Sequence, residues 1–209
     1  MNLTLFGATG MIGQRIYAEA RSRGHTVAVF ARPTSDLKVL VAPTKVVTGD
    51  ASKPDDVARA VKGQSAVISS LAPRGDMKDF LPLNQALVTG LQQAGVRRLL
   101  VVGGAGSLEV APGVLLLDSE DFPKEWLGYA KTHAEVLNFL KTTDLKWTYI
   151  SPPTLIQPGE KTGHYRRGEN QLLIDEKGKS EISAEDYAVA LIDELESPTA
   201  IGKRITVAY

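Results

Sequence analysis

Short runs of apolar residues alternate with longer segments in which apolar residues recur every three or four positions. The runs have the length of buried strands, and the longer segments have the period of amphipathic helices. The clearest helix spans 11–23, where Ile12, Ile16 and Ala20 share one face and Gly24 follows the last turn. In the first part of the chain the pattern predicts strands at 3–6, 26–31, 46–48 and 66–70, and helices at 11–23 and 53–62.

The same alternation continues to residue 151. Helices are predicted over 83–94 and 129–141, and strands over 98–102 and 146–151. Six strands that alternate with helices indicate a parallel sheet with helices packed on both faces. The predicted fold class is therefore α/β, with a doubly wound parallel sheet.

The last third of the chain is less regular. Residues 159–175 are polar and contain three glycines, whereas Ser183, with Asp186 three positions later, resembles a capping box at the start of a helix that ends near residue 195. Residues 204–208 favour a final strand. Because no repeat or linker interrupts the chain, we expect one domain over residues 1–209, in which residues 153–209 form a small C-terminal elaboration.

Composition narrows the range of possible functions. The 24 Lys and Arg residues balance the 24 Asp and Glu residues, which argues against non-specific binding to nucleic acid or to anionic membranes. The absence of Cys excludes disulfides, thiolate metal sites and a cysteine nucleophile. No apolar run approaches the ~20 residues of a membrane span, and the apolar residues 3–6 lead directly into Gly7, which leaves no room for a signal peptide. We therefore expect a cytoplasmic protein.

A glycine-rich segment at residues 7–13 carries the strongest chemical signal. Its sequence, Gly-Ala-Thr-Gly-Met-Ile-Gly, follows the first predicted strand and opens the first predicted helix. Glycines permit a tight turn and let backbone N–H groups approach a pyrophosphate at the positive end of a helix. The spacing G-x-x-G-x-x-G differs from the common G-x-G-x-x-G, but the strand–turn–helix context favours dinucleotide binding over a generic turn.

The end of the second predicted strand indicates which nucleotide is bound. A site selective for NAD has Asp or Glu about 20 residues after the glycines, to accept hydrogen bonds from the ribose. Arg32 stands here, 19 residues after Gly13, and a guanidinium suits the 2′-phosphate of NADP. The alternatives are a solvated Arg at a strand end and an influence of Asp36, further along the loop. The sequence favours NADP(H) over NAD(H).

Two further strand ends should border the same nucleotide. Asp50 and Ala51 follow the third predicted strand, beside the expected position of the adenine. Asp50 could accept a hydrogen bond from the adenine amine or form an Asx turn, and both interpretations remain open. Ser70 and Leu71 follow the fourth strand and should border the cofactor ribose.

The glycine turn, Arg32, Asp50 and the strand end at residues 151–153 together resemble the atypical short-chain dehydrogenase/reductase superfamily. Residues 101–107, 147–152 and 182–188 are similar to NADH-flavin reductases, in the NAD(P)H-binding group that also includes NmrA-like proteins. The resemblance covers essentially the whole chain and implies a Rossmann-like fold.

The resemblance also implies where the cofactor lies. The pyrophosphate would lie over residues 7–12, the adenosine phosphate near Arg32, and the nicotinamide near residues 103–107 and 152–154. The cofactor contacts expected in these segments are Gly7, Thr9, Gly10, Met11, Ile12 and Pro153.

Alcohol- and ketone-active members of the superfamily carry Tyr-x-x-x-Lys and a Ser after the fifth strand. Here Ser107 and Tyr129 are present, but His133 replaces the Lys, and Lys131 lies on another helix face. We take Ser107, Tyr129 and His133 as the candidate catalytic residues. Helix packing and a surface polar contact are the alternative for Tyr129 and His133. Without Lys the tyrosine lacks its usual activator, which disfavours carbonyl reduction more than hydride transfer to a stacked flavin or quinone.

Other polar segments give weaker signals. His25 and His164 have no second ligand at metal-binding spacing, so we predict no metal site. Residues 165–167 (Tyr-Arg-Arg) could contact a flavin phosphate or form an exposed basic loop. The acidic and aromatic segment 118–126 is predicted to be a loop that lines the acceptor site or covers a sheet end.

These observations lead to two hypotheses of function. The first is an NADP(H)-dependent oxidoreductase that reduces a flavin- or quinone-like small molecule held by residues 73–82, 108–127 and 155–170. The second is a non-catalytic NADP(H)-sensing regulator of the NmrA type that binds a protein partner. The sequence does not indicate an oligomeric state.

Overall fold

The computed structural model describes residues 1–41, 43 and 45–209. The helices in this part of the chain are α1 Met11–Ser22, α2 Pro54–Val61, α3 Phe80–Gln93, α4 Lys124–Leu140 and α5 Ala184–Glu196. The strands are β1 Asn2–Phe6, β2 Thr26–Ala31, β3 Lys45–Thr48, β4 Ala66–Ser69, β5 Arg98–Val102, β6 Glu109–Ala111, β7 Val114–Leu115, β8 Lys146–Ser151, β9 Leu155–Gln157, β10 Arg166–Gly168, β11 Glu181–Ser183 and β12 Lys203–Ala208. Among these residues, none of the helices is long and apolar enough to cross a bilayer.

Among the described residues, eight strands form the central sheet, in the order β10-β12-β8-β5-β4-β1-β2-β3. Neighbouring strands are parallel except for β10, which pairs antiparallel with β12 at one edge. The chain builds outwards from β1 to β3, then crosses back to β4 and builds in the other direction. The predicted doubly wound α/β fold is therefore confirmed, and its strand order reverses between β1 and β4, where such sheets bind ligands.

Alternation of side chains along the strands divides the core into two layers. On one face, Leu5 packs in a cluster with Ile16 of α1 and Leu191 of α5. On the other face, Leu99 packs in a cluster that includes α2, α3 and α4. Both faces are covered by helices, so the strands are apolar on both sides, and this produces the short unbroken apolar runs in the sequence.

The helix α4 corrects the last three residues of the loop predicted over 118–126. It begins directly after Pro123, which has a φ of −61° at the N-cap, so Trp126 is helical rather than part of a loop. Gly128 obscures the helical pattern in the sequence, but it lies at an open position where a Cβ would have no neighbour within 4 Å. Likewise α3 begins at Phe80, three residues before its predicted start.

The start of α5 forms only half of the predicted capping box. The Ser183 Oγ accepts the N–H of Asp186 at 3.0 Å, as an N-cap does. The Asp186 carboxylate accepts from the N–H groups of Thr162 and Gly163, at 3.1 and 2.7 Å, and from the Tyr209 hydroxyl at 2.7 Å. Asp186 therefore joins the segment around Gly163 to α5.

A buried carboxylate joins α5 to the central sheet. Glu194 pairs with Arg98 of β5 at 3.3 Å and with Arg167 of β10 at 3.1 Å. Burial by itself would raise the pKa of Glu194, but hydrogen bonds from the N–H groups of Ala200 and Thr199 outweigh it and lower the pKa. Removal of either arginine would leave part of this buried charge uncompensated.

We expect Gly90→Ala to destabilise the protein by about 1–3 kcal/mol, because an added Cβ would lie 2.5 Å from the Val57 Cβ where α3 packs on α2. The matched control is Gly128→Ala, a helical glycine with open space around it, which we expect to stabilise by about 0.5–1 kcal/mol. Urea unfolding measures both. Equal effects of the two substitutions would show that α2 and α3 do not pack this closely.

Candidate nucleotide-binding cleft and active site

The turn between β1 and α1 lies against the end of β4 at a distance that only glycine allows. Gly7 has a φ of +77°, and a Cβ on it would lie 2.3 Å from the carbonyl oxygen of Ser70. A Cβ on Gly13 would lie 2.1 Å from the carbonyl oxygen of Gly7. The backbone of the turn is therefore open along its outer side, as contact with a phosphate requires.

The N-terminus of α1 follows this turn without a side-chain cap. Gly10 stands at the N-cap, and no acidic residue occupies the first turn. The first N–H groups of a helix have no intrahelical acceptor, and the helix dipole adds partial positive charge there. Of the predicted contacts, Met11 is exposed at this end, whereas the side chain of Ile12 packs against the core, which leaves the backbone of Ile12 for a ligand.

A cleft of about 560 Å³ opens at the carboxyl ends of β1 to β4. Eight of the eleven predicted cofactor residues line it: Gly7, Thr9, Gly10, Arg32, Asp50, Ala51, Ser70 and Leu71. Met11, Ile12 and Pro153 are not among the lining residues, and Pro153 is buried after the end of β8. Contact of these residues with a nucleotide stays a prediction.

Two arginines line this cleft. In the described part of the chain, Arg32 is exposed and its guanidinium forms no hydrogen bond or ion pair. Asp36 does not pair with Arg32, because its carboxylate accepts the backbone N–H of Lys38. Arg74, in the loop after β4, also lines the cleft. The sequence contains no motif that identifies Arg74, because its position depends on how that loop folds back over the sheet.

The Asp50 side chain forms the Asx turn that the sequence left open. Its carboxylate accepts from the N–H and the hydroxyl of Ser52, at 2.9 and 2.7 Å. These two hydrogen bonds lower the pKa of Asp50, so the side chain is ionised at neutral pH. Both hydrogen bonds use one carboxylate oxygen, and the residue still lines the cleft.

The loop after β5 packs directly on α4. A Cβ on Gly106 would lie 2.6 Å from the Cβ of Ala130, so Ser107 and Tyr129 flank one close contact. The hydroxyl and the carbonyl oxygen of Ser107 both accept from one nitrogen of Arg204, at 2.9 and 2.7 Å. Arg204 is half-buried, and burial lowers its pKa.

Tyr129 and His133 form part of a series of ring contacts. The ring centroids are 4.8 Å apart for Tyr129 and His133, and 4.9 Å apart for His133 and Phe80. Trp126 lies edge-on to Tyr129, with 6.0 Å between centroids. Because Phe80 lines the nucleotide cleft, these rings extend from the cleft wall to the protein surface. We call them the aromatic ladder.

His133 cannot act as the lysine of Tyr-x-x-x-Lys at neutral pH. It is 4% exposed, and burial lowers its pKa to about 4, so the ring is uncharged. Burial also raises the pKa of Tyr129. Lys131 is exposed on another face of the helix. The cation that activates the tyrosine in alcohol- and ketone-active relatives is therefore missing at the expected position.

A second tyrosine, Tyr149 of β8, holds this region together. Its hydroxyl accepts the N–H of Gly104 at 3.0 Å and donates to the carbonyl oxygen of His133 at 3.1 Å. A Cβ on Gly103 would lie 2.1 Å from its ring. Sequence reasoning missed Tyr149, and the glycines at 103 and 104 are the signal that could have indicated it, because they leave room for a large neighbour.

The residues at 165–167 are not a free basic loop, because Arg166 and Arg167 lie in β10. The Tyr165 hydroxyl donates to Asp193 at 2.6 Å. Arg166 donates to the carbonyl oxygens of Tyr209 and Ile174, and Arg167 pairs with Glu194. Both arginines therefore have partners within the protein. In the part of the chain that the structure describes, no cluster of three or more His, Asp or Glu side chains could hold a metal ion.

Comparisons with known proteins agree with this geometry. The NAD(P)H-binding family model matches residues 7–198. The uncharacterized protein YwnB of Bacillus subtilis is 37% identical over 99% of this chain and 98% of its own length.

Two solved structures resemble the whole chain. A candidate exported protein from Burkholderia pseudomallei is 44% identical, with a TM-score of 0.91 and full coverage of both chains. A candidate NADH-flavin reductase from Streptococcus pneumoniae is 36% identical, with a TM-score of 0.86 and coverage of 100% of this chain and 99% of the other.

The buried His133 makes the stability of the fold depend on pH. In the unfolded chain this residue binds a proton near pH 6.5, whereas in the folded protein it does so only near pH 4. Between these pH values the unfolded state therefore binds more protons than the folded state. We expect this residue to reduce the free energy of unfolding by about 2 kcal/mol from pH 8 to pH 5. Urea unfolding at both pH values measures the change.

The variant His133→Gln should lose this part of the pH dependence, because it removes the titrating ring. The control is His164→Gln, at an exposed residue, which should keep the pH dependence of the unmodified protein. An unchanged pH dependence in His133→Gln would contradict a lowered pKa.

Proposed function

The chain belongs to the NAD(P)H-binding family, in the atypical short-chain dehydrogenase/reductase group, and on that premise we propose that it is an oxidoreductase that uses NADPH to reduce a flavin- or quinone-like acceptor. The observation that carries the proposal is the glycine turn at the strand reversal, where a Cβ on Gly7 or Gly13 would collide with backbone. Such a turn, followed by an uncapped helix N-terminus, fits the pyrophosphate of a dinucleotide.

The residues of the cleft suit the rest of such a nucleotide. In our proposal the backbone from Gly7 to Ile12, including Thr9, Gly10 and Met11, holds the pyrophosphate. Asp50 and Ala51 border the adenine, and Ser70 and Leu71 border the ribose. Pro153 and the 103–107 loop hold the nicotinamide end. Bound NADPH would supply the hydride.

Arg32 supports a preference for NADPH over NADH. Its guanidinium has no protein partner among the described residues and lines the cleft near Asp50 and Ala51. NADPH differs from NADH only by the 2′-phosphate, and a guanidinium forms strong charge-assisted hydrogen bonds with a phosphate.

The uncharged His133 supports an acceptor that needs no tyrosine acid. Carbonyl reduction requires a proton donor whose pKa suits the reaction, whereas the pKa values of Tyr129 and His133 are both moved away from neutral pH by burial. Hydride transfer to a flavin or quinone depends mainly on stacking of the two ring systems. We propose that Ser107, Tyr129 and His133 shape the acceptor side and that the acceptor takes its proton from solvent.

The similarity to a candidate NADH-flavin reductase from Streptococcus pneumoniae supports the same acceptor class. We further propose that residues 1–209 act as one NAD(P)-binding domain, with residues 153–209 on the acceptor side. A second candidate function is a non-catalytic sensor of NADP(H), and the missing activator of Tyr129 is the observation that favours it.

Turnover separates the two functions. In the presence of riboflavin or menadione, we expect the purified protein to oxidise NADPH at a rate well above the rate without protein. The loss of NADPH absorbance measures this rate. A matched measurement with NADH should give a lower kcat/KM. Tight binding of NADPH and NADP⁺ in calorimetry without any turnover would reject the reductase and favour the sensor.

Arg32→Glu tests the phosphate contact. We expect it to weaken NADPH binding by about 1–3 kcal/mol, since a charge-assisted pair is replaced by repulsion, and to change NADH binding much less. Calorimetry with both nucleotides measures the difference. The control Lys62→Glu makes the same change of charge at an exposed residue after α2. Equal losses for NADPH and NADH in Arg32→Glu would reject the assignment.

A further inference from the structure

We propose that the acceptor is an uncharged, planar aromatic molecule that stacks on the indole of Trp126, an inference that rests on the proposed function. Three features of the acceptor side carry it. They are an exposed aromatic ring, an aromatic ladder that connects it to the nucleotide cleft, and an excess of negative charge beside it.

Trp126 is the exposed end of the aromatic ladder. Its side chain is 57% exposed, whereas Trp147, the other tryptophan, is 4% exposed. An exposed indole presents a wide apolar face with a polarised ring system, on which another flat ring can stack. Because Trp126 lies in the first turn of α4, the helix backbone holds its position. The ring therefore offers a pre-formed platform for another flat ring.

The ladder connects this platform to the wall of the nucleotide cleft through two intervening rings. Rings follow one another from Trp126 through Tyr129 and His133 to Phe80, which lines the cleft. The Nε2 atom of His133 is buried and has no hydrogen-bond partner among the described residues. A polar atom without a partner inside an aromatic cluster is costly for the fold alone, and its place in the ladder points to a role in ligand binding.

Charge in the segment before Trp126 selects against anions. Asp118, Glu120, Asp121 and Glu125 are exposed, Lys124 is the one basic residue of this segment, and none of the four carboxylates forms an ion pair within the described residues. A phosphorylated flavin carries about two negative charges at neutral pH, and carboxylates within a few ångströms of its phosphate repel it. Riboflavin and simple quinones carry no such charge.

The opposite wall does not compensate for this negative charge. The turn at Met77–Asp79 contacts α4, where the Thr132 hydroxyl donates to the carbonyl oxygen of Met77 at 3.2 Å. Lys78 in this turn is balanced by Asp79 and by Asp76 just before it.

Three arginines of the acceptor side already have partners. Arg166 and Arg167 bind protein oxygens, as described above, and Arg204 donates to Ser107 and Asn170. Near Trp126, Lys124 is a described cation without an ion pair, but the four carboxylates of the same segment outnumber it.

The first test compares riboflavin with FMN, which share one ring system and differ in the phosphate. We expect riboflavin to have the higher kcat/KM at low ionic strength. Added salt should raise the rate with FMN and leave the rate with riboflavin nearly unchanged, because salt screens the repulsion. Glu120→Lys should raise kcat/KM for FMN about two- to fivefold, whereas Asp144→Lys, at an exposed residue just before the amino end of β8, should not.

The second test examines the ring itself. Trp126→Ala should raise KM for riboflavin about three- to tenfold while kcat and the thermal midpoint change little, and Trp126→Phe should restore most of the affinity. Binding of riboflavin should quench the fluorescence of Trp126, and Trp126→Phe, which retains only the buried Trp147, should lose that quenching.

The outcomes separate this inference from the proposed function. Equal kcat/KM values for FMN and riboflavin at low salt would overturn the inference and leave the proposed reductase function intact. An unchanged KM for riboflavin in Trp126→Ala would do the same. Absence of NADPH oxidation with every acceptor would overturn both.

Discussion

The close approach of two backbone segments at the strand reversal governs this molecule. The turn after β1 can lie against the end of β4 only because position 7 has no Cβ, and α1 can start so close to that turn only because position 13 has none. These two contacts fix the direction of α1, and hence the point to which its positive end is directed. The cleft, the position of Arg32 on one wall and that of Ser70 on the other all follow from this arrangement.

Periodicity predicted the parallel part of the fold well, because strands buried on both faces produce short apolar runs with clear ends. Residues 26–31, 98–102 and 146–151 were predicted within these bounds and are β2, β5 and β8. Short strands such as β6 and β9 were missed, since three-residue strands carry no periodic signal. The early start of α4 was missed because an exposed glycine hides a helix that packing holds together.

The residues of the candidate site also differ in how far the sequence could predict them. Residues that follow a strand, such as Gly7, Arg32 and Asp50, could be predicted because parallel strands bring their ends to one edge. Tyr149 and Arg204 could not, because they become neighbours only when β8 pairs with β12, and neither position carries a motif. The protonation of His133 is likewise a property of the packed structure, since burial alone changes a titratable residue into a neutral ring.

The contact between α1 and α5 has a consequence for synthesis of the chain. The apolar face of α1 is complete at residue 22, but its partner α5 begins only at residue 184, and β12, beside β8, ends at residue 208. A ribosome must therefore add about 160 residues after α1 before the helix that opens the nucleotide cleft can be covered. Until then the apolar face of α1 has no partner in the nascent chain and is exposed, and exposed apolar surface of this kind favours aggregation. For the same reason, an N-terminal fragment that ends before α5 would carry the glycine turn but would not fold as an independent nucleotide-binding unit.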